Sequence, residues 1–285
     1  MRLITWNVAR RTSRLAEQAQ ALATRSPDVV ALQEVTRGTG PLWTRAFELL
    51  GLPYVRSGFA CGSSPGSGSG SGSGSRSGSA GTGLPGAGRP PAMWVMLASR
   101  TPVSDPTVTL DVPRPESAVG ARVESDLGPV EVHCVHVPNA ANGWVKPNTL
   151  AAIRAGLELA GAVPSVLCGD LNTPRRELPT GETISFARDT HGRLRPERGE
   201  EWDSAELGVV PGLKELGFSD VFRRLHGYEA REPSWTWKRI AGHGGGWRLD
   251  HIFASAPLRP VACRYHHEWR EHDLSDHSAL EADFA

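Results

Sequence analysis

The chain is predicted to fold as an α/β protein in which two packed sheets are covered by helices. Three observations point there. Short apolar strands outnumber helices along the chain. Helical stretches are few and interspersed between them. Pro/Gly turns link several strands directly, which favours antiparallel pairing.

The elements follow in order. In "RLITWNV", Leu3 and Thr5 share one face of a strand, and Ile4 and Trp6 share the other. "SRLAEQAQALATR" places Leu15, Ala19, Leu22 and Ala23 at helical spacing. "DVVALQEV" is a buried strand that runs into Gln33 and Glu34, and "PLWTRAFELLG" is a helix closed by Gly51. "AMWVMLAS", "VTLDV", "GARVES" and "PVEVHCVHV" are expected as strands. "NTLAAIRAGLELAG" is a helix with Asn148 or Thr149 as N-cap. The strand "SVLC" comes next, then a long irregular region and a helix near "SAELGVVPGLKELG". "SWTWK", "WRLDHIFA", "RPVACRYHHEW" and "SALEADF" are the late strands.

Bulk properties narrow the class. A length of 285 residues suits one large domain or two small ones, and 39% hydrophobic residues can form a sizeable core. Lys+Arg and Asp+Glu balance at 31 each, so no global basic excess announces a nucleic-acid binder, although a local patch can suffice. Cys61, Cys134, Cys168 and Cys263 form no CxxC pair, which argues against a zinc knuckle or a disulfide framework. "MRLITWNVARR" lacks the apolar core of a signal peptide, and no segment is apolar enough to span a bilayer. A monomer in the reduced cytoplasm is expected. Residues 62–91 are Gly/Ser-rich and then Pro-rich, with nothing to bury. They are read as a disordered loop inserted into a single domain spanning 1–285, because the preceding piece of about 60 residues is marginal alone.

One stretch asks for an explanation. In "LCGDLNTP" an apolar run ends abruptly in Asp170, with Asn172 and Pro174 close behind. A turn accounts for these residue types. The same pattern recurs at other strand ends: Asn7, Glu34, His136 with Asn139, and Asp276 with His277. Each alone is explained as a cap, a solvated terminus, a core histidine or a turn. Asp250 lies inside an apolar strand and needs a partner, and Arg248 two residues away could pair with it. Together these residues are what a metal-assisted phosphoester hydrolase needs. Carboxylate and amide oxygens suit Mg²⁺ or Mn²⁺. Asp170 could activate a water, and His277 held by Asp250 could donate at the phosphate.

The order "TWNV", "LQEV", "HVPN", "CGDLNTP", "SWTW", "WRLDHIFAS", "LSDHSAL" resembles the endonuclease/exonuclease/phosphatase superfamily, the group of DNase I and exonuclease III. The resemblance implies a four-layered α/β/β/α sandwich with two mostly antiparallel sheets and a site where strand ends of both sheets meet. It implies Glu34 as main metal ligand, Asn7 beside it, and Asp276 as a further ligand or a supporting carboxylate. Asp170 resembles the water-activating residue, and Asn172 the amide that orients phosphate and nucleophile. Asp250 and His277 resemble the pair at the scissile phosphate. His136 stands where members contact the phosphate or assist the leaving group, and Asn139 where the exonuclease III branch binds phosphate.

"HVPNA" and "GGWRLD" resemble the abasic-endonuclease branch, in which the residue at Trp247 helps line a sugar pocket. Ala9 and Ser234 depart from it, and Ser234 in place of an aromatic leaves that pocket one apolar wall short. "LQEV" and "ASRTPV" are more like a broad bacterial branch. DNA is the expected substrate. A small-molecule or phospholipid-headgroup phosphoester is the alternative, and a catalytically silent binding protein a third reading. Arg10, Arg11 and Arg14, Arg175 and Arg176, and Lys238 and Arg239 follow three of the site strands and are expected to form a basic rim. The acidic residues Glu197, Glu200, Glu201, Asp203 and Glu206 oppose it from an expected loop.

Overall fold

The computed structural model describes residues 1–59, 93–161, 163–240 and 243–285, with side chains from 238 to 244 left aside. The Gly/Ser/Pro-rich loop expected at 62–91 lies outside the described residues.

Two six-stranded sheets form the centre. The first runs in the order β15 (Pro260–His266), β16 (Ala279–Phe284), β1 (Arg2–Asn7), β2 (Val29–Thr36), β4 (Met93–Ser99), β3 (Tyr54–Ser57). The second runs β11 (Phe218–Asp220), β14 (Asp250–Ser255), β8 (Ser165–Asp170), β7 (Val130–His136), β6 (Ala118–Val123), β5 (Val103–Ser104). Among the described residues, only β1–β2 and β7–β8 pair in parallel within them. A parallel pair needs a long crossover. Helix α1 (Leu15–Ala23) supplies the first and α3 (Val145–Leu159) the second.

Alternation along the strands builds three cores. Leu3, Ala31, Val132, Cys168 and Ile252 belong to the core between the sheets. Ile4, Trp6, Val30 and Leu32 face the other way and pack on Leu22 of α1 and on Trp43 and Phe47 of α2 (Gly40–Leu49). Val135 and Leu167 pack outward on Leu150 and Ile153 of α3 and on Val209 of α4 (Gly199–Val209). The result is the expected α/β/β/α sandwich, and the faces expected for Leu3 and Ile4 are the ones observed.

Several local expectations are corrected. "VTLDV" is irregular, although Leu110 and Val112 are buried beside α3. Helix α3 begins at Val145, so Asn148 and Thr149 lie inside it; the Thr149 hydroxyl donates to the Val145 carbonyl at 2.7 Å. "RPVACRYHHEW" ends as a strand at His266 and continues as the short helix α6 (His267–Glu271). Most of the acidic cluster sits in α4, not in a loop. Glu206 is buried against Lys146, and Asp203 pairs with Arg188. The region expected to be irregular carries a small ribbon, β9 (Arg176–Glu177) with β10 (Thr183–Ile184). A second ribbon, β12 (Trp235–Ile240) with β13 (His243–Trp247), stands beside the site.

Candidate active site

Strand alternation carries the site residues to one place. Asn7, His136, Asp170 and Asp250 have the same parity as the inward residues of β1, β7, β8 and β14. They form the polar end of the core between the sheets. Glu34 breaks the rule. Its parity matches Val30 and Leu32, which face outward. The β2–β4 register shifts between Leu32 and Val35, Glu34 takes a φ of 58°, and Val35 fills the outward core position instead. That bulge turns Glu34 to Asn7, whose Nδ2 donates to Glu34 Oε1 at 3.3 Å. Such a conformation in a non-glycine residue stores strain that the surrounding sheet must hold.

The "CGD" stretch has a steric reason. Gly169 has a φ of 137°, and a Cβ there would lie 1.9 Å from the Val135 carbonyl oxygen. Only glycine lets β8 approach β7 so closely.

Asp170 is buried and richly bonded. Its Oδ2 accepts from Asn7 Nδ2 at 3.0 Å and from Asn172 Nδ2 at 3.2 Å, and its Oδ1 accepts from the Asn172 backbone N–H at 2.9 Å. His136 Nε2 lies 3.7 Å and His277 Nε2 3.9 Å from Oδ2. Burial pushes the Asp170 carboxyl up to about 6; the two imidazoles oppose that rise and Asp250 adds to it. His277 Nδ1 donates to Asp250 Oδ2 at 2.7 Å. Burial lowers the basicity of His277, but Asp250 and Asp170 together outweigh it and raise the imidazole to about 10. His277 is therefore protonated near neutral pH. The second oxygen of Asp250, Oδ1, is buried without a partner.

Two carboxylate groups could hold a divalent ion. Asp170, Asp250 and His277 place one ligand atom each within 4.8 Å of one another. Within this trio His277 Nδ1 and Asp250 Oδ2 are already engaged with each other at 2.7 Å, so they form a hydrogen-bonded pair beside Asp170. The Glu34 and Asp170 carboxylates, joined through the Asn7 Nδ2 that donates to both, offer hard oxygen donors, while the Asn7 Oδ1 accepts from the Ala9 N–H at 3.0 Å. That set fits Mg²⁺ or Mn²⁺.

A cavity of about 630 Å³ opens above these groups. Trp247 stacks on Trp235 with ring centres 5.2 Å apart and planes 9° apart, and Phe186 meets Trp247 edge-on at 5.1 Å. Phe186, Trp235, Trp247 and Leu249 form its apolar wall. Arg10 lines it too, with Nε 3.0 Å from Glu34 Oε2.

The structure thus gathers Asn7, Glu34, His136, Asp170, Asn172, Asp250 and His277, with Trp247 and Arg10 at the cavity. Asn139 also lines it, and its Oδ1 caps the following turn by accepting from the Ala141 N–H at 3.1 Å. Other expectations are corrected. Asp276 is exposed; its carboxylate accepts from Trp235 Nε1 at 3.4 Å, and no hydrogen bond joins it to Asn7 among the described residues. Arg11 is turned away to Asp273 at 2.8 Å, and Arg14 to Glu17 at 2.9 Å, so the basic rim is thinner than the sequence promised. Arg248 does not pair with Asp250; it binds Glu177 and Asp220, each at 2.7 Å. The wall that Ser234 was expected to leave open is filled by Trp235 and Phe186. Ser234 itself is buried, and its Oγ accepts the N–H groups of Leu249 at 2.9 Å and Asp250 at 3.1 Å.

Sequence reasoning missed Lys146 and Glu206. Lys146 is fully buried; its Nζ donates to the Asn172 carbonyl and to Glu206 Oε1, both at 2.8 Å. Glu206 also accepts from Thr173 Oγ1 at 2.6 Å and from the Phe186 N–H at 2.8 Å. The pair fastens the segment bearing Asn172, whose φ is 50°. Sixty residues separate the two partners, so no local pattern announces them.

The chain belongs to the Endonuclease/Exonuclease/phosphatase family, whose model matches residues 4–277. Members depend on a divalent metal. A curated relative, the DNA repair nuclease APEX1 of Danio rerio, is 31% identical over 137 residues, covering 45% of this chain and 40% of that protein. The chain thus matches less than half the length of that relative. Among solved structures, an AP endonuclease from Archaeoglobus fulgidus is similar with a TM-score of 0.66 and 23% identity, covering 100% of this chain and 99% of that one. The 3′ phosphatase NExo from Neisseria, bound to a product DNA hairpin, is similar at 0.64 and 20%, covering 100% and 99%. D. rerio TDP2 with a single-strand DNA product is similar at 0.64 and 17%, covering 100% and 98%. These structural likenesses support the fold.

Proposed function

We propose that this chain is a DNA nuclease that hydrolyses phosphodiester bonds with Mg²⁺ or Mn²⁺. One observation carries the reading: a buried Asp170, clasped by two asparagine amides and flanked by two imidazoles, opens onto a cavity with a stacked tryptophan wall. The polar floor suits a phosphate, and the aromatic wall suits the sugar or base attached to it. The names of the relatives support the same substrate class. Because β1 pairs with β16 and the site draws on Asn7 and His277, we treat the chain as one domain.

The residues divide the work as follows. Asp170, raised toward neutrality, orients a water and takes its proton. As the water oxygen bonds to phosphorus, the protonated His277 donates to a nonbridging oxygen and Asp250 holds it in place. The Asn172 and Asn7 amides fix the base, and His136 stands beside it to serve the departing oxygen. Glu34 would hold the divalent ion, with Asn7 beside it fixing the carboxylate, and the ion when bound neutralises charge on the phosphate.

Purified protein assayed with Mg²⁺ on duplex DNA, abasic DNA, single strands and a small phosphodiester tests this. Activity should vanish with excess chelator and fall on the order of 10²–10⁴-fold in Glu34→Gln. Undiminished turnover in chelator would sink the metal assignment. The salt bridges that tie up Arg11 and Arg14 favour a second reading, a small-molecule phosphoesterase. Fast turnover of a soluble ester with poor DNA cleavage at every salt concentration would establish it.

A further inference from the structure

A second groove lies on the far side of the tryptophan wall, with a volume of about 730 Å³. Trp247 lines both this groove and the site cavity. Trp237 lines only the groove; it packs on Trp247 at 4.8 Å, yet 41% of it is exposed. Its seat is built: a Cβ on Gly245 would come within 2.0 Å of the Trp237 ring, so the glycine run before Trp247 lets the indole lie over bare backbone.

The groove is also cationic. Five arginines line it, but Glu177 engages Arg223 and Arg248, Asp189 is taken by Arg193, and Glu232 binds His267. That leaves Arg175, Arg176 and Arg231 with no carboxylate within 4.0 Å among the described residues. Arg175 is held below the usual guanidinium range by burial and by the neighbouring Arg195; Asp189 opposes that, and Arg198 and Arg176 add to it. Arg175 follows Asn172 by three residues, a reach of at most roughly 11 Å. That is about three nucleotides stacked at ~3.4 Å.

We infer that this groove binds an unpaired stretch of the substrate strand next to the scissile phosphate, with Trp237 stacking on a base and Arg175, Arg176 and Arg231 contacting phosphates. An exposed aromatic beside unpaired cations is the pattern that holds single-stranded nucleic acid without reading sequence. A bare phosphate or a small ester needs no indole platform beyond the site cavity. The inference rests on the nuclease reading and names the form of its substrate.

The test is fluorescence anisotropy with a labelled single-stranded oligonucleotide and a blunt duplex hairpin, in EDTA to prevent cleavage, alongside Mg²⁺-dependent cleavage of both. Trp237→Ala should weaken single-strand binding about tenfold. Trp237→Phe should restore most of it, and duplex binding should change less than twofold. Arg176→Ala with Arg231→Ala, both exposed, should lower the salt slope for the single strand by about 1.4, at ~0.7 per phosphate contact. Turnover of a small model phosphodiester should stay the same in every variant. If the variants bind and cut single strands like the parent, the groove assignment falls and the nuclease reading stands. Equal losses on the duplex would overturn the single-strand preference. A parent that binds no nucleic acid and turns over only the small ester would overturn the nuclease reading and this inference with it.

Discussion

Two buried charge clusters begin two residues apart, at Arg248 and at Asp250, and they are built to opposite ends. Around Arg248 both carboxylates are paired, although its own Nη1 is buried without a hydrogen-bond partner. Glu177 receives Nε at 2.8 Å and Nη2 at 2.7 Å from Arg248, and it also binds Arg223, while Asp220 binds Arg248 and His251. Arg248 and Arg223 hold the Glu177 carboxyl down at about 2, against burial and the neighbouring Asp220, which raise it. Around Asp250 the pairing is incomplete. One oxygen holds His277, the other has no partner, and Asp170 rises toward neutrality instead of falling. A cluster whose carboxylates are all met by guanidinium groups fixes its charges and contributes stability. An unsaturated one leaves a base, an acid and an open face for a substrate.

The comparison predicts a separation of effects. The largest should come from Asp170→Asn, which keeps the shape and removes the base. Activity should fall on the order of 10²–10⁴-fold, while the melting temperature stays level or rises, because a buried charge is relieved. A strong loss of stability with modest loss of rate would place Asp170 among the structural pairs.

Asp250→Asn and His277→Ala should each lower kcat steeply, and the double variant should be hardly worse than either single one, since they act as a unit. Additive losses measured in steady-state assays would show that they do not share a transition state.

Glu177→Gln should do the reverse: lose on the order of 3 kcal/mol of stability and leave kcat nearly unchanged. Its folded carboxyl titrates at about 2 against an ordinary 4.5. The contribution is therefore fully present above pH 4.5 and lost as the pH falls from there toward 2. Denaturant midpoints of parent and variant should converge across that window, and a gap that persisted at pH 2 would contradict the ion-pair account.

The smallest effect is expected at Ser234, which serves the boundary between the clusters. Ser234→Ala strips an acceptor from two buried N–H groups and should cost about 1–2 kcal/mol. Turnover should drop only a few-fold, through slackening of Asp250. A neutral outcome in both assays would mean that another acceptor takes over.

Much of the molecule was legible along the chain. Alternation in "RLITWNV" assigned Leu3 and Ile4 to opposite cores, because a strand alternates whatever it pairs with. The abrupt carboxylate in "LCGDLNTP" marked a strand end at the site, and the same residue types at the other strand ends named Asn7, Glu34, His136 and His277, four more of the side chains that gather there. Their chemistry belongs to the residue type, so it can be read before folding. Partner choice cannot. Arg248 looked like the natural partner of Asp250 and instead serves Glu177, seventy-one residues away. Arg11 looked like part of a rim and is held by Asp273. Glu34 reaches the site only because a bulge in β2 reverses its face. Lys146 and Glu206 meet only when α3 packs on α4. Local sequence determined which groups exist and which face of an element they ride on. Tertiary structure decided which charges are neutralised and which stay free, because that depends on long-range distances that only the packed sheets and helices set.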